Sequence, residues 1–195
     1  MTSTTISPFS QADSQAILTP KFLEALSFAA YKHRHQRRKD AAKTPYINHP
    51  IAVTNILLNE AGITDEIVLL SAILHDTVED TDTSIEEIEQ TFGSAIAKVV
   101  SEVTDDKSLP KAERKQAQIE HASKLSDRAK LVKLADKTAN LRDMVTATPE
   151  GWTAERIENY LDWGKAVIDR LRGKHAVLEA LFDRAYETGK THLVQ

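Results

Sequence analysis

Apolar residues in this chain recur every three or four positions, and nowhere does the sequence sustain the alternation of a half-buried β-strand. The 6 glycines and 6 prolines fall mostly between these periodic segments, where they punctuate helices. A chain patterned this way buries its apolar stripes helix against helix, so the expected fold is all-α, with about seven to nine helices around one core. At 195 residues it can hold one sizeable core.

Capping signals set the expected boundaries. Thr19-Pro20 reads as N-cap and first residue of a helix with Phe22, Leu26, Ala29, Ala30 and His33 on its inner face. Pro50 opens a second helix that Gly62 ends, and Thr64 caps a third. Thr83 and Glu86 form a capping box for a short helix closed by Gly93. Ile96, Val99, Val100 and Val103 mark another helix, and residues 111–121 a strongly charged one. Ser126 or Asp127 caps the next, with Val132, Ala135 and Ala139 inward. Thr153 begins a long helix, and Gly173 separates it from the last. Residues 1–18 read as a polar, flexible arm, leaving 19–190 as one domain.

Composition narrows the partners. A net charge of -4 gives no basic surface for nucleic acid. The absence of cysteine removes disulfides and thiolate metal sites and fits a cytoplasmic location. No apolar run approaches membrane-spanning length, and the N-terminus lacks the charged and apolar regions of a secretory signal. A small-molecule partner is expected, with no nucleic acid and no membrane; a homodimer is left open.

The chemistry concentrates at residues 68–82. Ile67, Leu70 and Leu74 share one helix face, and the segment then turns into a cluster of His75, Asp76, Glu79 and Asp80. If the helix ends near Thr81, Asp76 and Asp80 stand one turn apart and repel, at the negative end of the helix dipole. Two local rules are broken together, as happens at functional sites, and a bound cation would resolve both.

Two further residues extend the cluster. His49 stands just before Pro50, and Asp136 lies between apolar neighbours in Lys133-Leu-Ala-Asp-Lys-Thr-Ala-Asn-Leu-Arg142. Taken singly, His49 could cap the second helix and Asp136 could pair with Lys137 or Arg142. Together with His75 and Asp76 they make two imidazoles and two carboxylates, a donor set suited to Mn²⁺, Fe²⁺ or Zn²⁺, with Mn²⁺ the first choice.

The order His49, His75-Asp76, Asp136 resembles the pattern of the HD superfamily of metal-dependent phosphohydrolases. More narrowly, Tyr46-Ile-Asn-His-Pro50, His75-Asp-Thr-Val-Glu-Asp80, Val103-Thr-Asp-Asp-Lys107 and Leu134-Ala-Asp-Lys137 with Asn140-Leu-Arg142 resemble the hydrolase domain of the RelA/SpoT alarmone enzymes. The likeness is strongest to the stand-alone small alarmone hydrolases, in which this domain is the whole protein. It implies an HD-type helical bundle with a metal site between helices. It further implies one Mn²⁺ per chain on His49, His75, Asp76 and Asp136, with Glu79 and Asp80 orienting and activating the attacking water. Arg38, Lys39 and Asn140, with Lys111, Arg156 and Tyr160, would then line the nucleotide pocket.

The activity implied is removal of the 3′-pyrophosphate of ppGpp or pppGpp, giving GDP or GTP and pyrophosphate. Two departures from the pattern, a loop at 40–45 without a glycine before Thr44-Pro45-Tyr46 and the pair Thr138-Ala139, are expected on the base-binding side. They admit the same chemistry on an adenine alarmone such as pppApp, or on the 2′-phosphate of NADPH. From another class, a nucleotide-sensing domain without turnover would bind without needing the metal or the acid pair.

Overall fold

The structure is a computed structural model and describes residues 19–193; the arm at 1–18 lies outside the described residues. Ten α-helical segments follow one another, with only isolated β-bridges at Arg37–Pro45 and Asp40–Pro149 among the described residues. They are α1 (Pro20–Lys32), α2 (Asn48–Asn55), α3 (Glu66–Leu74), α4 (Thr77–Asp80) and α5 (Ile85–Phe92). Then come α6 (Ser94–Val103), α7 (Lys111–His121), α8 (Asp127–Thr146), α9 (Ala154–Ile168) and α10 (Ala176–His192). A π-helical turn, Ile56–Glu60, continues α2, and a short 3₁₀ turn follows α7.

Side chains set most of the starts. Thr19 accepts the Phe22 amide with Pro20 at the first helical position, Ser126 caps α8 and Thr153 caps α9, as the sequence implies. Two caps sit one residue later than expected. Asp65, not Thr64, caps α3, because its carboxylate takes the amides of both Ile67 and Val68. Ser84, not Thr83, caps α5 by accepting the Glu87 amide, while the Thr83 hydroxyl is paired with that of Thr81. Asp65 also holds Arg128 of α8 at 2.8 Å. Asp65→Ala should therefore lower the unfolding free energy by about 1–2 kcal/mol, measured by urea denaturation.

The core has two parts. One joins α2, α3, α6, α8, α9 and α10; the other joins α1, α3, α5 and α6. Helix α3 belongs to both, with Val68, Leu69 and Ala72 in the first and Leu70, Ile73 and Leu74 in the second. Every residue from Val68 to Leu74 is buried, so α3 is buried all round rather than on the single face expected, while Ile67 is only partly buried. Helix α8 is the other central element, packed against α2, α3, α6, α9 and α10. It buries Lys133, Asp136 and Lys137 among its apolar residues, an arrangement that costs stability unless each charge finds a partner.

The acidic stretch departs from a continuous helix. α3 stops at Leu74, His75 is its C-cap, and Asp76 sits at φ -95, ψ -5 before the single turn of α4. The Thr77 hydroxyl donates to the Leu74 carbonyl at 2.7 Å and closes the break. Glu79 and Asp80 therefore ride on a separate turn, re-aimed relative to His75. In the loop at 40–45, Lys43 occupies the left-handed region at φ 51, where a glycine is expected, at a cost of about 1–2 kcal/mol for an L-residue. Thr138 and Ala139 are not on the base-binding side as expected. Both are buried in the core, Thr138 bonding to the Leu134 carbonyl at 2.8 Å.

Candidate metal centre and nucleotide cleft

The break after α3 lets His75 and Asp76 face α8, while Pro50 at the start of α2 presents His49 to the same point. Donor atoms of His49, His75 and Asp136 lie within 4.8 Å of one another, and all three residues are buried. His49 Nε2 is 3.2 Å from Asp136 Oδ1, and His75 Nε2 is 3.7 Å from the same oxygen. Asp76 joins from the side, its Oδ2 3.1 Å from His75 Nε2 and 3.7 Å from His49 Nε2. All four expected ligands therefore converge from three helices and one helix break.

The donor set fits a divalent cation. His75 Nδ1–H donates to the Ala72 carbonyl at 2.8 Å, which aims Nε2 at the two carboxylates. That Nε2 is buried and has no hydrogen-bond partner in good geometry among the described residues. Burial pulls the His75 pKa down, but the facing carboxylates of Asp76 and Asp136 push it up to about 10. Burial likewise works against ionisation of Asp136, yet Lys137, His49 and His75 hold its carboxyl well below the usual range. Two ionised carboxylates facing imidazole nitrogens are a donor set suited to a divalent cation. His49, His75, Asp76 and Asp136 would hold it.

The plainer readings of Asp136 are partly realised. Lys137 Nζ lies 3.5 Å from Asp136 Oδ2, while Arg142 turns away to a bidentate pair with Glu60. Asn140 Nδ2 donates to Asp136 Oδ1 at 2.6 Å, so it orients the carboxylate as well as lining the cleft. The Tyr46 hydroxyl does the same for Asp76, donating to Oδ2 at 2.7 Å.

The two further acids have unequal surroundings. Glu79 Oε2 accepts the Asp105 amide at 3.1 Å. Burial, then the charge of Asp105, raises the Glu79 pKa to about 6. Asp80 is held on both oxygens, Oδ1 by the Lys107 ammonium and Oδ2 by Gln36 Nε2 at 2.8 Å. Glu79 therefore titrates closer to neutral pH than an ordinary carboxyl.

Beside the His/Asp cluster opens a cleft of about 730 Å³. Its walls include Arg38, Lys39, Lys111, Asn140, Arg156 and Tyr160, so every residue expected at the nucleotide is there. Arg38 is paired with Asp143 and lies 5.5 Å from the centre of the Tyr46 ring. Arg156 sits 4.2 Å over Trp152, and Tyr160 is flanked by Trp152 and Trp163 at 5.5 and 5.3 Å. Among the described residues, Arg38 is the lining cation with an ion pair, which leaves Arg37, Lys39, Lys111, Lys115 and Arg156 available to an anion.

Several contributors escaped the sequence reading. Lys115 lines the cleft and lies 4.7 Å over Trp163; burial and the charges of Lys111, Lys137 and Arg156 lower its pKa. Its signal was available, since it follows Lys111 by one helical turn. Tyr46 stands one turn before His49 and was legible in the same way. Gln36 and Trp152 carried no local signal of their role, and Lys107 was legible only as part of the run Val103-Thr-Asp-Asp-Lys107.

Comparison with known proteins agrees with this geometry. A family model described as HD domain matches residues 25–160. A Xenopus tropicalis protein named guanosine-3′,5′-bis(diphosphate) 3′-pyrophosphohydrolase MESH1 is 57% identical over 164 residues, covering 84% of this chain and 92% of the relative. The Drosophila melanogaster protein of the same name is 58% identical over 166 residues, covering 85% and 93%. A solved structure described as a metazoan ortholog of SpoT that hydrolyzes ppGpp and plays a role in starvation responses superposes with a TM-score of 0.85 at 56% identity, over 87% of this chain and 96% of that one. With its helical fold and the convergence of His49, His75, Asp76 and Asp136, this chain belongs to the HD-domain family.

Proposed function

We propose that this chain is a metal-dependent 3′-pyrophosphohydrolase of guanosine tetra- and pentaphosphate, with residues 19–190 as the hydrolase domain. The observation that carries the reading is the buried cluster of His49, His75 and Asp136, joined by Asp76 and linked through Tyr46 and Asn140 to a cation-lined cleft. Relatives named for this activity match the chain over more than four-fifths of its length. The reading includes one Mn²⁺ per chain, which the nitrogen and oxygen donor set favours, and a cytoplasmic location.

In the reaction, water adds to the phosphorus joined to O3′, the P–O3′ bond breaks, and O3′ takes up a proton. When bound, the cation would polarise a phosphoryl oxygen and lower the pKa of the attacking water. Glu79 would accept that water's proton on Oε1, because Oε2 is engaged by the Asp105 amide. Asp80, fixed by Lys107 and Gln36, would orient the water. Asn140 and Tyr46 hold the Asp136 and Asp76 carboxylates in place. Lys39, Lys111 and Arg156 would neutralise the phosphates, and the flat faces of Tyr160 and Trp152 would bound the nucleoside.

The test is to incubate purified, Mn²⁺-loaded protein with ppGpp and follow GDP and pyrophosphate by ion-exchange chromatography. No turnover across a series of Mn²⁺, Zn²⁺ and Mg²⁺ would overturn the reading. A contact prediction goes with it. Lys111→Ala should raise KM about tenfold with kcat little changed, the loss of one charge-assisted phosphate contact, measured by steady-state kinetics.

A further inference from the structure

The run Val103-Thr-Asp-Asp-Lys107 stood out in the sequence, yet neither the metal shell nor the cleft wall uses it. It forms the loop between α6 and α7, and this loop reaches both acids from behind. The Asp105 amide donates to Glu79 Oε2 at 3.1 Å, and the Lys107 ammonium bonds to Asp80 Oδ1.

The loop is itself fastened. Gln118 of α7 donates its side-chain amide to Asp105 Oδ2. Lys133 of α8, 8% exposed, donates from Nζ to the Val103 carbonyl at 3.0 Å. Thr104 Oγ1 bonds back to the Val100 carbonyl at 2.8 Å, and Asp106 closes the turn by accepting the Ser108 amide at 2.9 Å. Three helices thus brace a segment whose hydrogen bonds to the reacting region, among the described residues, run to the two acids.

Adjacent ionised carboxylates repel and, left free, would swing apart. The Lys107 ammonium and the Gln36 amide occupy both Asp80 oxygens, while the loop amide takes a single oxygen of Glu79. We infer that the 104–110 loop is the positioning clamp of the acid pair, and that Lys107 is a positioning residue acting through Asp80. Lys107 does not line the cleft, so its effect falls on the chemical step rather than on nucleotide binding. Its side chain is 48% exposed, so its replacement leaves the core intact.

This inference rests on the alarmone-hydrolase reading, and the test separates the two. Lys107→Met, Lys107→Arg, Asp80→Asn and the Lys107→Met/Asp80→Asn double variant are assayed with ppGpp and Mn²⁺, beside the unaltered protein. Lys107→Met should lower kcat about tenfold with KM within about twofold, because a small misplacement of a catalytic group is costly. Lys107→Arg should recover most of the rate, and the Met change should cost less than about twofold in the Asp80→Asn background, since coupled residues are non-additive. An unchanged kcat, equal losses in both backgrounds, or a loss confined to KM would overturn the clamp.

A second measurement does not need turnover. Hydrogen exchange of the Asp105 amide should be accelerated about fivefold or more by Lys107→Met, and by Asp80→Asn alike, as the loop loses its anchor. Unchanged protection in both variants overturns the inference. If the unaltered protein fails to turn over ppGpp, the functional reading falls and the exchange experiment still decides the clamp.

Discussion

Replacing His75 with alanine is expected to strip the metal and reduce kcat/KM by about 10³-fold or more, since a bound cation supplies several kcal/mol of transition-state stabilisation. His75 is the natural place to test the centre, because its Nδ1 is fixed to the Ala72 carbonyl and its Nε2 has no other role among the described residues. Removing it leaves Asp76 and Asp136 facing a gap, with His49 the remaining imidazole. Metal content by mass spectrometry of the desalted protein and isothermal titration with Mn²⁺ are the direct measurements. Thermal unfolding of the metal-free variant and metal-free parent checks that the fold persists. Retention of one metal per chain at parental affinity, or a rate within about tenfold of the parent, would remove His75 from the metal shell.

The second large effect is at Glu79. Glu79→Gln should keep one metal per chain and a KM within about threefold, while kcat falls about 10²–10⁴-fold, the usual range for losing a general base. The pH profile carries the sign. Burial and Asp105 raise the Glu79 pKa to about 6, so Glu79 is protonated below that value and ionised above it. Only the ionised form accepts a proton, so kcat should fall tenfold per pH unit on the acid side and level off above about 7. A cation in the centre favours the ionised form and moves this limb below about 6. Glu79→Gln should flatten the limb. A profile unchanged in shape by the substitution would transfer the base to another group, with Asp80 next in line and already engaged on both oxygens.

These two predictions divide the acidic stretch by role, which the local pattern alone left undivided. Crowding of His75, Asp76, Glu79 and Asp80 pointed to a cation, but it did so through a helix expected to run to Thr81. The helix ends at Leu74, and the crowding is relieved partly by that break and partly by the loop behind it. The capping shifts from Thr64 to Asp65 and from Thr83 to Ser84 have a similar origin. Each pair offers two adjacent side chains of comparable capping strength, and the tertiary contacts of the neighbour choose between them.

The sequence by itself determined the helical class, the ends of most helices and the four residues expected as metal donors. Those follow from periodicity, caps and donor chemistry, which are local properties. Only the tertiary structure decided which faces meet. It brings His49 to 3.2 Å from Asp136 across 87 positions, and gathers Lys111, Lys137 and Arg156 around Lys115, which lies over Tyr160 and Trp163. It also pairs Arg38 with Asp143, and sets Lys107 behind Asp80 rather than in the cleft. The physical reason is that an apolar stripe encodes that a face is buried and not against what. Ion pairs and hydrogen bonds between distant segments are fixed only once the helices have packed.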